Sequence, residues 1–183
     1  MKSGIGLSLS RRFYDQIIRP VMAETVPKLP YAAARIGLGS EVLGFDSAMS
    51  ADHDYGPCVQ IFLPTDAFPK KAHEIMRALD LAMPTSFEGF AVRYPTATRP
   101  PGAAVEHMLG SDHGAELYTV AAWRERFLGL GFDRPLSSLE WLSYPEHLFL
   151  MVTAGAVFRD DVGTLLIFAS RFAIIQGMCG CTR

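Results

Sequence analysis

The stretch GLGSEVLGFDSAMSADHDYGPCVQIFL, residues 37 to 63, decides how this chain is to be read. It opens on a glycine turn, Gly37-Leu38-Gly39-Ser40, passes Asp52-His53-Asp54, and ends in an alternating run rich in strand formers. Branched and aromatic side chains fit a pleated, half-buried surface, so residues 58 to 63 are expected to form a central strand. If the backbone at the aspartates is extended too, the period of two puts Asp52 and Asp54 on one face and His53 on the other. Two carboxylates so placed suit magnesium, which prefers hard oxygen ligands, keeps several waters and completes its shell with phosphate oxygens. Gly37 and Gly39 permit torsions that other residues resist, and Ser40 stands where a helix cap stands, so amides and a hydroxyl there would face an anion. The same residues also read as a solvated turn after Ser47 to Ala51 and as a plain turn and cap that need no ligand.

Working outward, Leu9, Phe13, Ile17 and Val21 recur every four residues, which predicts an amphipathic helix from Ser8 to Glu24 that Pro20 should kink or break. The run LPYAAARIGLGS reads as a strand entering a tight turn. Beyond the opening stretch, Thr65 can cap a helix whose buried stripe is Phe68, Ala72, Ile75, Met76 and Leu79, ending before Pro84. GFAVRY reads as a strand and PTATRPPGA as a Pro-rich loop. Residues 115 to 120, AELYTV, alternate again and put Glu116, Tyr118 and Val120 on a common face. AAWRERFLGL then runs helically to Gly129 and Gly131. SSLEWL and PEHLFLMVTAGAVF read as two more helices, the second with Pro145 in its first turn. Strands alternating with helices predict an α+β or α/β fold, a mixed β-sheet flanked by helices.

At 183 residues, with 49% apolar and 20% charged positions and a mean hydropathy of +0.17, the chain can build the core of a single compact unit. Its formal charge of −2, without a long block of either sign, disfavours duplex nucleic acid as a partner but not a nucleotide. The most apolar late run, VGTLLIFASRFAIIQGMC, carries Arg171 at its middle and is not expected to span a membrane. Met1 to Ser10 lacks the apolar stretch of a secretory signal, so a cytoplasmic location is expected. Cys58, Cys179 and Cys181 form neither a disulfide framework nor a zinc spacing.

Gly39-Ser40, eleven residues, then Asp52-x-Asp54 resembles the signature of the polymerase-beta type nucleotidyltransferase superfamily. More narrowly, RRFYDQIIRP, GSEVLGFDSAMSADHDYGP and LEWLSYPEHLFLMVTAGAVFRDDVGTL are similar to a bacterial nucleotidyltransferase-like family of unassigned role, the likeness covering roughly residues 7 to 165. The resemblance implies a mixed sheet with flanking helices, two magnesium ions, and transfer of a nucleoside monophosphate from a nucleoside triphosphate to an acceptor with loss of pyrophosphate. It implies Asp52 and Asp54 as catalytic metal ligands, a third carboxylate on a later strand, for which Glu116 in AELYTV is the candidate, and Gly39 and Ser40 as nucleotide contacts. Tyr55-Gly56-Pro57 interrupts the apolar run that superfamily members carry after the acids, an interruption the narrower family shares, so the strand should bend just past the acids. Residues 1 to 165 are accordingly read as the nucleotidyltransferase-like domain. Residues 166 to 183 depart from the family's helical continuation, which points to an absent helical region or a shifted reading frame.

Arg35, Lys70, Lys71, Arg93 and Arg99 are candidates for the β- and γ-phosphates, each with an ordinary surface role as the alternative. Glu116 equally fits an exposed strand face. His53 and His113 each follow an aspartate, but His107 and His113 are six apart, the wrong step for a zinc pair on one helical face. Trp123 and Phe127, at helical spacing, read as core. Serine-hydrolase elbow, Walker loop and Rossmann fingerprint are absent from the sequence. The primary expectation is therefore a magnesium-dependent nucleotidyltransferase acting on an unknown acceptor, and the alternative a catalytically inactive nucleotide-binding or interaction protein of the same fold.

Overall fold

The amino-terminal periodicity makes a helix that carries its proline instead of breaking at it. Ile5–Phe13 (α1) and Arg19–Thr25 (α2) are joined by a π-helical turn, Tyr14–Ile18, in which Arg19 N donates to Tyr14 O, five residues back. Pro20 has no N–H and its ring crowds the carbonyl four residues earlier, so a wider turn just before it keeps the axis continuous. The buried stripe is Leu9, Phe13, Tyr14, Ile18 and Met22. The computed structural model describes residues 5–43, 56–93, 108–109, 112–129, 143–163 and 165. Asp52, Asp54, His53, Arg99, His107, the predicted SSLEWL helix and the segment 166–183 lie outside the described residues.

Next in order come Ala32–Arg35 (β1), a short helix Ser40–Leu43 (α3), Val59–Phe62 (β2) and the long helix Phe68–Ala82 (α4). Thr65 does not cap α4: the helix starts three residues later, after Ala67, with Pro69 in its first turn and Phe68 N donating to Pro64 O. A proline there loses only an N–H that has no intrahelical partner. The predicted GFAVRY strand shortens to Phe90–Ala91 (β4), which pairs antiparallel with Ser86–Phe87 (β3) in a hairpin of its own. Met108–Leu109 (β5) and Ala115–Tyr118 (β6) follow. β6 stops before Val120, because Thr119 turns the chain and its hydroxyl caps Val120–Leu128 (α5) by accepting from Ala122 N at 3.2 Å. Val120 is thus helical, not a third member of the Glu116 face.

PEHLFLMVTAGAVF is not one helix. Glu146–Thr153 (α6) ends at Ala154, and Ala156–Asp160 (β7) pairs antiparallel with β1. Pro145 precedes the first turn with extended torsions. A continuous apolar run cannot by itself distinguish helix from strand, and here the open edge of β1 recruits its second half.

The five-stranded sheet has the order β5-β6-β2-β1-β7, with β2 and β6 parallel and the other pairs antiparallel. The fold is the expected α+β type with a mixed sheet. One face, Ala33, Val59, Ile61, Leu63, Ala115 and Leu117, packs under α1, the π turn, α2 and α4. The other, Ala32, Ala34, Phe62 and Tyr118, packs under α5 and α6 through Trp123, Leu128 and Val152. Among the described residues no helix is long and apolar enough to cross a membrane.

Candidate functional site

Strand directions bring the glycine turn, the lead-in to β2 and the start of the Glu116 strand to one edge. β1 runs against β2, and β2 runs with β6, so the carboxyl end of β1 meets the amino ends of β2 and β6. The Gly37–Ser40 turn leaves β1 at that edge, and the segment following Asp54 leads into β2 there, through Gly56, Pro57 and Cys58. Val59 N donates to Gly114 O at 2.7 Å, and a Cβ on Gly114 would fall 2.0 Å from Pro57 O. Only glycine lets the lead-in to β2 lie this close to the start of β6. Cys58 N is fixed from the other side by Ser10 Oγ at 3.2 Å.

The glycine turn forms, with one change of roles. Gly39 O accepts from Val42 N and Leu43 N, both at 3.1 Å, so Gly39 occupies the cap position and Ser40 is the first residue of α3. Gly39 has φ of +146°, a region that side-chain-bearing residues avoid. A Cβ there would also strike Arg35 Nη2 and the Glu41 carboxylate. These two side chains clamp the turn. Arg35 Nε donates to Glu41 Oε1 at 2.8 Å, and Arg35 Nη2 donates to Leu38 O at 2.9 Å. Both are almost buried, with 11% of each side chain exposed. Arg35 is thus neither a surface charge nor a spare phosphate ligand: its fork is spent on holding the loop. Gly37 N donates to Met151 O at 2.7 Å, which ties the turn to the last turn of α6.

One rung beyond the turn, Ala34, Gln60 and Glu116 lie side by side across β1, β2 and β6. Phe62 and Tyr118, one step along the same two strands, face each other with ring centroids 6.2 Å apart, so Gln60 and Glu116 share that face. Both are buried. Tyr118 Oη donates to Glu116 Oε2 at 3.2 Å, and Gln60 Oε1 accepts from Ile36 N at 3.1 Å. Glu116 is therefore not the exposed strand residue of the bland reading. Of the three expected carboxylates it is the one among the described residues, and it stands beside the strand that follows Asp54.

Among the described residues, the other candidate cations are already paired or lie far along the sheet. Lys70 and Lys71 lie in the first turn of α4, at the opposite end of β2, and Lys71 pairs with Glu74. Arg93 binds Asp112 through Nη1 at 2.9 Å and Asp80 O through Nη2 at 2.7 Å. His113, fully buried, accepts from Ala115 N at Nδ1 (3.1 Å), and its Nε2 lies 3.0 Å from Asp80 Oδ1. Burial holds its pKa below the ordinary imidazole value, against the opposing pull of Asp80 and Asp112. With Nδ1 accepting, the ring is the neutral tautomer with its proton on Nε2. It is a structural histidine at the root of β6. Trp123 and Phe127 are core as expected, with rings 5.0 Å apart, and Trp123 underlies Gly37.

Gln60 and Glu41 are the residues that sequence reasoning missed, and Arg35 holds the loop where a phosphate contact was expected. A lone glutamine inside CVQIFL was the available signal, since an amide among buried strand residues requires a partner. The chain matches no protein-family model, no curated protein and no solved structure.

Proposed function

We propose that this chain is a magnesium-dependent nucleotidyltransferase, which moves a nucleoside monophosphate from a nucleoside triphosphate to an acceptor hydroxyl and releases pyrophosphate. The observation that carries the reading is the meeting at one sheet edge of the Gly37–Ser40 turn, the lead-in to β2 that follows Asp54, and the buried Glu116. A carboxylate kept on a buried sheet face costs stability, which is tolerated where the charge has work to do. The donor set of Asp52, Asp54 and Glu116 offers the hard oxygens that suit two magnesium ions. When bound, these ions would supply positive charge that lowers the pKa of the acceptor hydroxyl and offsets the charge of the pyrophosphate.

The chain's own contribution is position. Tyr118 holds the Glu116 carboxylate in one orientation, and the clamped turn presents its backbone without having to reorganise. Phe62, Tyr118 and Trp123 exclude water behind the rung. The acceptor oxygen bonds to the α-phosphorus as the bond to the bridging oxygen breaks; the hydroxyl proton goes to solvent, and the bridging oxygen departs with the pyrophosphate. No side chain acts as nucleophile.

The test is incubation of purified protein with each labelled nucleoside triphosphate, magnesium and a metabolite extract. Label should move to an acceptor with the wild-type chain and stay put with Asp54→Asn. Full transfer by Asp54→Asn overturns the mechanism. A melting temperature raised by ATP and magnesium, with no pyrophosphate released, would replace it with the inactive nucleotide-binding protein of the same fold.

A further inference from the structure

We infer that Gln60 is the positioning residue of this site, the side chain that sets the Gly37–Ser40 turn against the Glu116 carboxylate. The inference rests on the proposed function for its consequence in catalysis, though not for its structural content. β1 ends at Arg35, and beyond it the Ile36 N–H is left without a ladder partner from β2. A buried amide donor in that position must find an acceptor or remain unsatisfied at a cost in stability. Gln60 Oε1 supplies it at 3.1 Å, from a side chain that is 2% exposed.

The same side chain stands next to Glu116 on the parallel strand, in register. Gln60 therefore accepts a hydrogen bond from the residue at which the turn departs, and it is the register partner of Glu116 on the neighbouring strand. Ala34, the third member of the rung, is small enough to leave the amide room to reach past it to Ile36. The residue type fits this duty. A glutamine reaches the backbone amide without charge, whereas a glutamate would set a second carboxylate beside Glu116 and a leucine would leave Ile36 N unpaired. The Arg35 clamp works on the peptides that follow, since Arg35 Nη1 donates to Ile36 O and Nη2 to Leu38 O. Gln60 and Arg35 thus hold Ile36 by its N–H and its carbonyl respectively.

The experiment compares wild type, Gln60→Met and Gln60→Glu by backbone amide exchange and by steady-state transfer kinetics. Methionine fills the volume without the acceptor, and exchange at Ile36 and across residues 37 to 40 should speed at least tenfold while β2 and β6 stay protected. The KM for the nucleoside triphosphate should rise about tenfold with kcat changed less than threefold. Glutamate keeps the acceptor oxygen and should restore Ile36 protection. Unchanged exchange at Ile36 in Gln60→Met, or loosening spread evenly over the sheet, overturns the inference. If Gln60→Met does not fold, Gln60→Glu decides it: retained Ile36 protection supports the role and lost protection ends it. Absence of any transfer by wild type removes the proposed function, while the exchange data still decide what Gln60 does.

Discussion

The two faces of the sheet are built to different rules. Under α1, α2 and α4 the strand positions Ala33, Val59, Ile61, Leu63, Ala115 and Leu117 are apolar and share one core with Phe13, Ile18, Ile75 and Leu79. Under α5 and α6 the apolar pattern holds at Phe62 and Tyr118 and then gives way, one rung on, to Gln60 and Glu116. Both are buried, so the change is not a drift toward solvent. The first face maximises burial, each large side chain contributing about 1.5–3 kcal/mol relative to exposure. The second gives some of that up at one edge, the edge where the glycine turn and the Asp54 lead-in arrive.

Glu116→Gln breaks this comparison most sharply. If the second face keeps a carboxylate for charge, removing the charge and keeping the shape should cut nucleotide transfer by about a thousandfold, roughly 4 kcal/mol of transition-state stabilisation. The melting temperature should hold or rise, because an amide costs less to bury than a carboxylate. A variant that melts lower while retaining its transfer rate would make Glu116 a structural residue.

Next in size is the clamp. Arg35→Met leaves Glu41 without its partner in a site with little solvent, which should cost about 3 kcal/mol in denaturant unfolding. Glu41→Gln, which keeps an acceptor for the guanidinium, should cost visibly less. Equal losses would mean that the pair contributes packing and no electrostatic restraint. Smaller again, Ile61→Val on the first face should lower stability by about 1 kcal/mol with the nucleotide KM unaltered. A shift in KM there would show that the faces are not independent.

Why some of this was readable and some not follows from how far apart the determining residues lie. β2 and β6 announce themselves, since CVQIFL and AELYTV each satisfy a strand pattern within themselves. The stripe of α4 is equally local. The helix ending at Thr153 and the strand starting at Ala156 were not separable, because their apolar residues satisfy either period and only pairing with Ala32–Arg35 decides. Pro20 reads as a break in a helix until the π turn that absorbs it is seen. At the site, Gly39 and Glu116 carried a local signal. Gln60 carried only the hint of an amide inside an apolar strand, for its partner is 24 residues away and its task exists only once β1 and β2 are aligned. The cap role of Ser40 was misassigned by one position, because the left-handed torsion of Gly39 shifts the start of α3.

The smallest effect concerns His113, which touches the site only through the strand it anchors. Its imidazole is neutral in the fold, with Nδ1 accepting from Ala115 N, and the groups around it are Asp80 on α4, Asp112 beside it and Arg93 across the bridge. Desolvation outweighs the two carboxylates, and Arg93 adds to it, so the folded pKa lies below the ordinary value of 6.5. The unfolded chain then binds the proton first. Stability is complete above about pH 6.5 and declines as the pH falls toward the folded pKa. His113→Gln, whose amide oxygen can accept from Ala115 N at any pH, should flatten unfolding free energy across that window. It should also keep the amides of residues 115 to 118 protected in mild acid, where the wild-type strand loosens. Identical pH profiles for the two proteins would mean that Asp80 and Asp112 compensate burial fully, and that the root of β6 is indifferent to the proton.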